Sequence, residues 1–186
     1  MKLYNVVLFV HVLAALTLFA AFGIAQVGGA VLLAGRTIEQ IRHGAGVIHV
    51  TARMFPLALT VQVASGLYLV SQGWTFTAPW VVTALAGAVV IAAAGSGVAD
   101  RRFGAIWAAA NRAGDGPAPP ELAERIADPV LWAWLWALNG LALGIVWLMT
   151  VKPGWAGSIG ATAGLSLVGA ATGRARARRA TAPKPH

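Results

Sequence analysis

The sequence has no cysteine and few charged residues. Without cysteine, a disulfide, a thiolate metal site, an iron–sulfur cluster and a cysteine nucleophile are all excluded. Charged residues make up 11% of the 186-residue chain, less than half of the roughly 25% that is usual in soluble domains. A water-facing surface cannot be built from so few charges, which excludes a soluble enzyme and an aqueous nucleic-acid-binding protein.

Acidic residues are especially scarce, and none of the six lies inside a long apolar segment. The sequence also contains no H-E-x-x-H motif and no cluster of carboxylates. These absences argue against a carboxylate proton relay and against a site for a hard metal ion.

Apolar residues are abundant instead, at 58% of the chain with a mean hydropathy of +0.71. A membrane span needs about 20 predominantly apolar residues, and five segments of the sequence meet that length. They are residues 3–33, 50–71, 79–99, 129–151 and 155–173. We therefore predict an all-α, polytopic bundle of transmembrane helices, with a four-helix core and a glycine-rich fifth span.

The first segment is longer than one crossing requires. We expect it either to tilt or to break near Gly28 and Gly29. We expect residues 1–154 to form a four-span domain and residues 155–173 to form the fifth helix.

The basic residues indicate the orientation of these spans. Twelve of the fourteen lie in or beside the segments that follow the first, third and fifth spans, and only Lys2 and Lys152 lie on the other side. The positive-inside rule then puts the N-terminus outside and the C-terminus in the cytoplasm. The same rule explains the net charge of +8 without a nucleic-acid partner.

Two polar segments lie outside the spans. Residues 100–128 mix charges with a glycine- and proline-containing turn at 114–120, which predicts two short interfacial helices around a flexible turn. Residues 174–186 are basic and have no apolar side to bury, which predicts a disordered cytoplasmic tail. Such a tail is attracted to anionic lipid headgroups by about 1 kcal/mol per basic residue.

His11 is the residue of greatest chemical interest, because an ionisable group inside a membrane is costly unless it is paired or functional. Its distance from the start of span one matches the distance of Gln62 from the end of span two. The two side chains are therefore expected at one depth in neighbouring helices. His11 is either a ligand to heme iron, or a neutral imidazole hydrogen-bonded to Gln62 or Asn139 that holds two helices together.

His49 and Arg53 are spaced i, i+4, so they face the same direction at the start of span two. Arg53 is a candidate partner for a heme propionate or a lipid phosphate, and the alternative is a flanking arginine that reaches for water. His11 and His49 lie near opposite ends of antiparallel helices. One iron bound by both is therefore excluded.

Small residues recur in the fifth segment as the pairs Gly160/Gly164 and Gly169/Gly173. This spacing favours close packing of that helix on another. The other helix belongs either to the same bundle, or to a second copy or a larger membrane complex.

Three strings carry a resemblance to known families. They are F-V-H-V-L-A-A around His11, A-R-M-F-P-L-A-L-T-V-Q-V-A-S-G at residues 52–66, and W-L-M-T-V-K-P-G at residues 147–154. Together they resemble an uncharacterised family of bacterial predicted integral membrane proteins. More distantly, they are similar to HemJ-type protoporphyrinogen oxidases and to the membrane domain of CopD-type copper proteins. The resemblance covers residues 1–154.

The HemJ-type resemblance implies that His11 binds heme iron, because it matches a first-helix histidine implicated in heme binding in those enzymes. Arg53 and Pro56 match the opening of their second helix, and Lys152 and Pro153 match the end of their fourth. Span three carries no lysine where those enzymes have one, so the resemblance implies binding of heme b or a porphyrin rather than the oxidase reaction. A non-catalytic accessory subunit and a small transporter or copper-import module are the other functions left open.

Overall fold

A computed structural model describes residues 2–95 and 100–181, which form eight helices. They are α1 (Lys2–Ala34), α2 (Ile38–Ala52), α3 (Phe55–Ser71), α4 (Pro79–Ala94), α5 (Asp100–Arg112), α6 (Pro120–Ala127), α7 (Pro129–Val151) and α8 (Trp155–Thr181). No strand occurs in these ranges, which confirms the all-α prediction for the part of the chain that is described.

Three stretches are long and apolar enough to cross a membrane: Lys2–Ala34, Ile38–Ser71 and Pro120–Val151. α4 is apolar but has only 16 residues, and the predicted end of its span, residues 96–99, lies outside the described residues. The described chain therefore has helices long and apolar enough to cross a membrane, and the count of five spans stays a prediction.

α1 is one continuous helix of 33 residues, so the expected alternative of a break at Gly28 and Gly29 is wrong. The two glycines allow close approach instead. A Cβ atom at Gly28 would lie 3.1 Å from the carbonyl oxygen of Gly44 in α2, and one at Gly29 would lie 2.6 Å from the ring of Trp132 in α7. At roughly 50 Å, α1 is longer than the hydrocarbon core of about 30 Å, so its last turns extend alongside α2.

Short helices α2, α5 and α6 gather at one end of the molecule, which we call the basic end. They meet the last turns of α1 and α8 and the first turns of α7 in a buried cluster that includes Leu32, Ile41, Ile106, Leu122 and Trp132. α5 and α6 confirm the prediction of two short helices between spans three and four.

Arg42 of α2 forms hydrogen bonds with the C-terminal end of α5 and so holds α5 at the basic end. Its Nη2 atom donates to the carbonyl oxygens of Ala110 and Ala113, at 3.3 and 3.2 Å, and its Nη1 atom lies 3.4 Å from Asp115. A guanidinium in this position satisfies carbonyl groups that the end of a helix leaves without partners.

α8 continues through Thr181, so the prediction of a disordered tail is wrong for residues 174–181. Packing orders this basic turn: Ala177 is buried in the basic-end cluster, and the Arg176 guanidinium carbon lies 4.5 Å from the centroid of the Trp136 ring. The remainder of the predicted tail, residues 182–186, lies outside the described residues.

Glycines bring α7 and α8 into backbone contact. A Cβ atom at Gly169 would lie closer than 3.0 Å to the carbonyl oxygen of Trp136, and one at Gly173 equally close to that of Trp132. Within the described part of the chain, no atom of another helix lies within 4 Å of a Cβ placed at Gly160 or Gly164. The pair Gly169/Gly173 therefore packs within the bundle as predicted, and the pair Gly160/Gly164 does not.

At the end of the molecule opposite the basic end, a lysine and two tryptophans hold two segments together. Lys152 ends α7 in the left-handed conformation, with a φ of 52°. Its ammonium lies 4.0 Å from the centroid of the Trp74 ring, which meets Trp80 edge-on. This contact ties the α3–α4 connection to the end of α7.

Candidate functional site

His11 and Gln62 lie in contact between α1 and α3, as their predicted depths indicate. His11 Nδ1 is 3.1 Å from the carbonyl oxygen of Gln62 and 3.1 Å from Ser65 Oγ, and His11 Nε2 is 3.0 Å from Gln62 Nε2. Gly66 makes room for the imidazole, because a Cβ atom there would lie 3.1 Å from His11 Cε1. Asn139, the other predicted partner, donates to Leu135 O in its own helix.

The hydrogen bonds around His11 assign one tautomer. The Ser65 hydroxyl donates to Val61 O at 2.6 Å, so it accepts from His11 Nδ1–H. His11 Nε2 is then the acceptor for the amide N–H of Gln62, whose Oε1 is buried with no hydrogen-bond partner in the described structure. A neutral imidazole satisfies this arrangement with both nitrogens engaged.

This arrangement suits a link between two helices. Iron at His11 Nε2 would require the Gln62 amide to turn away, because the amide nitrogen occupies that position at 3.0 Å. The role of His11 as a heme ligand therefore stays a prediction, whereas its role in holding α1 to α3 is visible in the structure.

A second region, unexpected from the sequence, is a cavity of about 400 Å³ where α2 meets α3. We call it the junction cavity. α1, α4, α5 and α7 complete its walls, and the rings of Phe22, Phe55 and Phe103 line it, with His49 and Thr60 as polar side chains. Its volume lies within the range of roughly 300–1,000 Å³ typical of small-molecule sites.

The junction exists because the long segment Ile38–Ser71 is interrupted. α2 ends at Ala52, residues 53 and 54 form a turn, and α3 begins at Phe55 with Pro56 in its first turn. Proline has no N–H to donate, so it is tolerated at a helix start and opposes continuation from the preceding helix. The sequence feature that indicates this break is the pair Arg53 and Pro56, three positions apart in an otherwise apolar segment.

His49 and Arg53 lie in contact, as their i, i+4 spacing predicts, and His49 lines the junction cavity. Arg53 Nη2 donates to His49 Nε2 at 3.1 Å, and the His49 ring stacks on Trp107 of α5 with centroids 4.3 Å apart. The Arg53 side chain is exposed and forms no ion pair with any carboxylate of the described residues. Its remaining N–H groups are therefore available to an anion.

Arg53 does not join His11 and Gln62. It precedes Gln62 by nine residues, which corresponds to about 13 Å of helix rise. The three predicted site residues thus divide into a hydrogen-bonded helix link and the charged edge of a cavity.

The two regions differ in what they can do chemically. The junction cavity offers an apolar space, one imidazole and a neighbouring guanidinium, which suits an apolar molecule that carries an acidic group. A polydentate metal site finds no support, since no three His, Cys, Asp or Glu side chains gather within residues 2–95 and 100–181.

Comparison with known proteins identifies the family of the chain. No curated protein and no solved structure matches the chain. Residues 5–153 match the family described as predicted integral membrane protein (DUF2269). The match covers α1 to α7 and ends just after Lys152, which closes α7. The chain therefore belongs to this family of integral membrane proteins.

Proposed function

We propose that this membrane protein binds a largely apolar small molecule with an acidic group in the junction cavity. A porphyrin such as heme b is the candidate that the HemJ-type resemblance supplies. The supporting observation is the cavity itself, with three phenylalanine rings in its wall and the His49–Arg53 pair at its edge.

The residues present suit a porphyrin better in this cavity than at His11. Phe22, Phe55 and Phe103 offer apolar surface to a flat ring, and Arg53 offers charge-assisted hydrogen bonds to a propionate. His49 is the histidine of the described wall, and its ring stacks on Trp107. Arg53 donates to its Nε2 at 3.1 Å, so iron at this nitrogen would require that guanidinium to turn away. Heme, when bound, would supply redox chemistry. The protein residues would bind it, orient it and exclude water.

The proposed location follows from the charges. With the basic end in the cytoplasm, the junction cavity lies in the inner half of a bacterial cytoplasmic membrane. The basic last turns of α8 then face the anionic headgroups of that leaflet.

The test is a titration of the purified protein in detergent with hemin, followed by the Soret band. We expect His49→Ala and Arg53→Leu each to weaken binding by about tenfold, which corresponds to roughly 1.4 kcal/mol. His43→Ala is the matched control, because His43 is an exposed histidine of α2 that does not line the cavity. We expect His11→Ala to retain hemin.

The titration also separates the two histidine sites. If His11→Ala loses hemin while His49→Ala retains it, the ligand belongs to the α1–α3 link as the resemblance implies. If the unaltered protein binds neither hemin nor protoporphyrin IX, the porphyrin proposal is refuted.

A second candidate is a non-catalytic accessory subunit, and one observation favours it. The side of α8 that carries Gly160 and Gly164 is exposed, and no atom of another described helix lies within 4 Å of a Cβ placed at either glycine. Small residues on a lipid-facing helix surface suit close packing by another helix. Gly164→Leu should then reduce the size of the particle extracted in mild detergent. An unchanged size would remove this support.

A further inference from the structure

The junction cavity has its mouth between α3 and α4. Most of its lining residues are buried or half-buried, but four are exposed: Pro56 and Thr60 on α3, Ala92 on α4 and Gly95 directly after α4. Residues that both line a cavity and reach the surface mark its opening. These four lie on or directly after two facing helices, so the opening is a gap in the side of the bundle.

The depth of this mouth places it against lipid. A hydrocarbon core crossed by about 20 residues and ending at Ser71 begins near Ala52. Thr60 lies seven residues beyond Arg53, or about 10 Å deeper along the helix. The mouth is therefore within the hydrocarbon layer, while the Arg53 guanidinium is at the level of the headgroups.

α5 covers the cavity on the side of the basic end. Phe103 is only 3% exposed and packs edge-on against Trp132, while Trp107 stacks on His49. Arg102 adds an ion pair of 2.6 Å with Asp128, at the start of α7. These contacts hold α5 against the bundle, so the described part of this side is closed by packed side chains.

We infer that the junction cavity takes its ligand from the bilayer, through the gap between α3 and α4. The ligand class is then a membrane-dissolved amphiphile whose apolar body enters at Thr60 and whose acidic group binds Arg53. This inference rests on the proposed binding function and adds the source and the shape of the ligand. A water-soluble anion can reach the exposed Arg53 at the headgroup level, but the packed side chains of α5 lie between water and the apolar space on that side.

The experiment measures the rate of loading in vesicles. The protein is reconstituted in phosphatidylcholine vesicles and mixed with phosphatidylcholine vesicles that carry protoporphyrin IX, and binding is followed by the fluorescence anisotropy of the porphyrin. Thr60→Trp narrows the mouth. Leu57→Trp is the control, because Leu57 is 72% exposed on the same helix and does not line the cavity.

Thr60→Trp should slow loading by about tenfold, equivalent to roughly 1.4 kcal/mol of added barrier. Leu57→Trp should load at the rate of the unaltered protein. Thermal melting of each variant checks that it is folded.

Equal loading rates for Thr60→Trp and Leu57→Trp, with binding intact in the unaltered protein, would overturn the lipid-side entry and leave the proposed function standing. Absence of binding to the unaltered protein would overturn both. Arg53→Leu should raise the equilibrium dissociation constant for the porphyrin about tenfold. Arg53→Lys keeps the positive charge and should raise that constant less. An unchanged dissociation constant in Arg53→Leu would overturn the assignment of the acidic group.

Discussion

Replacing glycine with alanine at two positions of α8 should have opposite effects on stability. At Gly169 the added methyl group meets the carbonyl oxygen of Trp136 in α7, and backbone cannot rotate away as a side chain can. At Gly160 the methyl group meets no atom of another described helix within 4 Å. The two substitutions are chemically identical and lie in one helix, so their difference isolates the α7–α8 contact.

The size of the difference follows from two terms. Alanine is favoured over glycine inside a helix by about 1 kcal/mol, and Gly160→Ala should gain up to that amount. Gly169→Ala gains the same propensity but must separate α7 from α8, and overpacking of this kind costs about 1–3 kcal/mol. Because both variants gain the propensity term, they should differ by the overpacking cost alone, about 1–3 kcal/mol, or roughly 2–12 °C in melting temperature for a chain of this length.

The assay is thermal unfolding of each variant in one detergent, followed by far-UV circular dichroism. Gly169→Ala should melt below the unaltered protein, and Gly160→Ala should melt at or slightly above it. Gly164→Ala repeats the exposed case and should behave as Gly160→Ala does. Equal melting of the Gly160 and Gly169 variants would refute the packing of α8 on α7 through its second glycine pair.

Three further predictions test the helix link, the lysine contact and the topology. His11→Ala should destabilise the protein by about 1 kcal/mol, and its effect should be less than additive with that of Gln62→Leu, measured in a double-mutant cycle of melting experiments. Lys152→Ala should lower the melting temperature more than Lys152→Gly. Both lose the contact with Trp74, but glycine adopts the positive φ without strain. Reporter fusions should place the C-terminus in the cytoplasm and residues 72–78 outside; a cytoplasmic reporter signal from residues 72–78 would contradict the assigned orientation.

Hydrophobic length and flanking residues predicted several elements accurately. α7 runs over Pro129–Val151, the predicted limits, because Asp128 and Pro129 start the helix and Lys152 ends it. The contact between His11 and Gln62 could also be predicted, because two polar groups at one depth in neighbouring helices have few other partners. The limits of α7 depend on residues within and beside that span. The His11–Gln62 contact depends on a rule that holds for all helical membrane bundles, so both could be predicted.

Tertiary contacts decided the elements that the sequence left open or misplaced. The two glycine pairs of α8 have the same spacing, and only the position of α7 makes Gly169 a contact residue and Gly160 an exposed one. The basic turn after Gly173 is helical because Ala177 enters a cluster built by five other helices. The composition of this turn favours disorder. The neighbouring sequence does not indicate that Ala177 is buried among those five helices.

An empty junction cavity would be costly to the fold, and that cost bears on its use. Empty apolar space destabilises soluble proteins by about 24 cal/mol per Å³. A dry and empty cavity of about 400 Å³ would thus cost roughly 10 kcal/mol by the same measure, as much as the whole stability of many domains. A mouth at the depth of lipid removes that cost, because acyl chains can occupy the space when no ligand does. A ligand must then displace acyl chains rather than fill empty space. Its affinity should depend on contacts that acyl chains cannot make, namely those of a flat ring with Phe22, Phe55 and Phe103 and of an acidic group with Arg53.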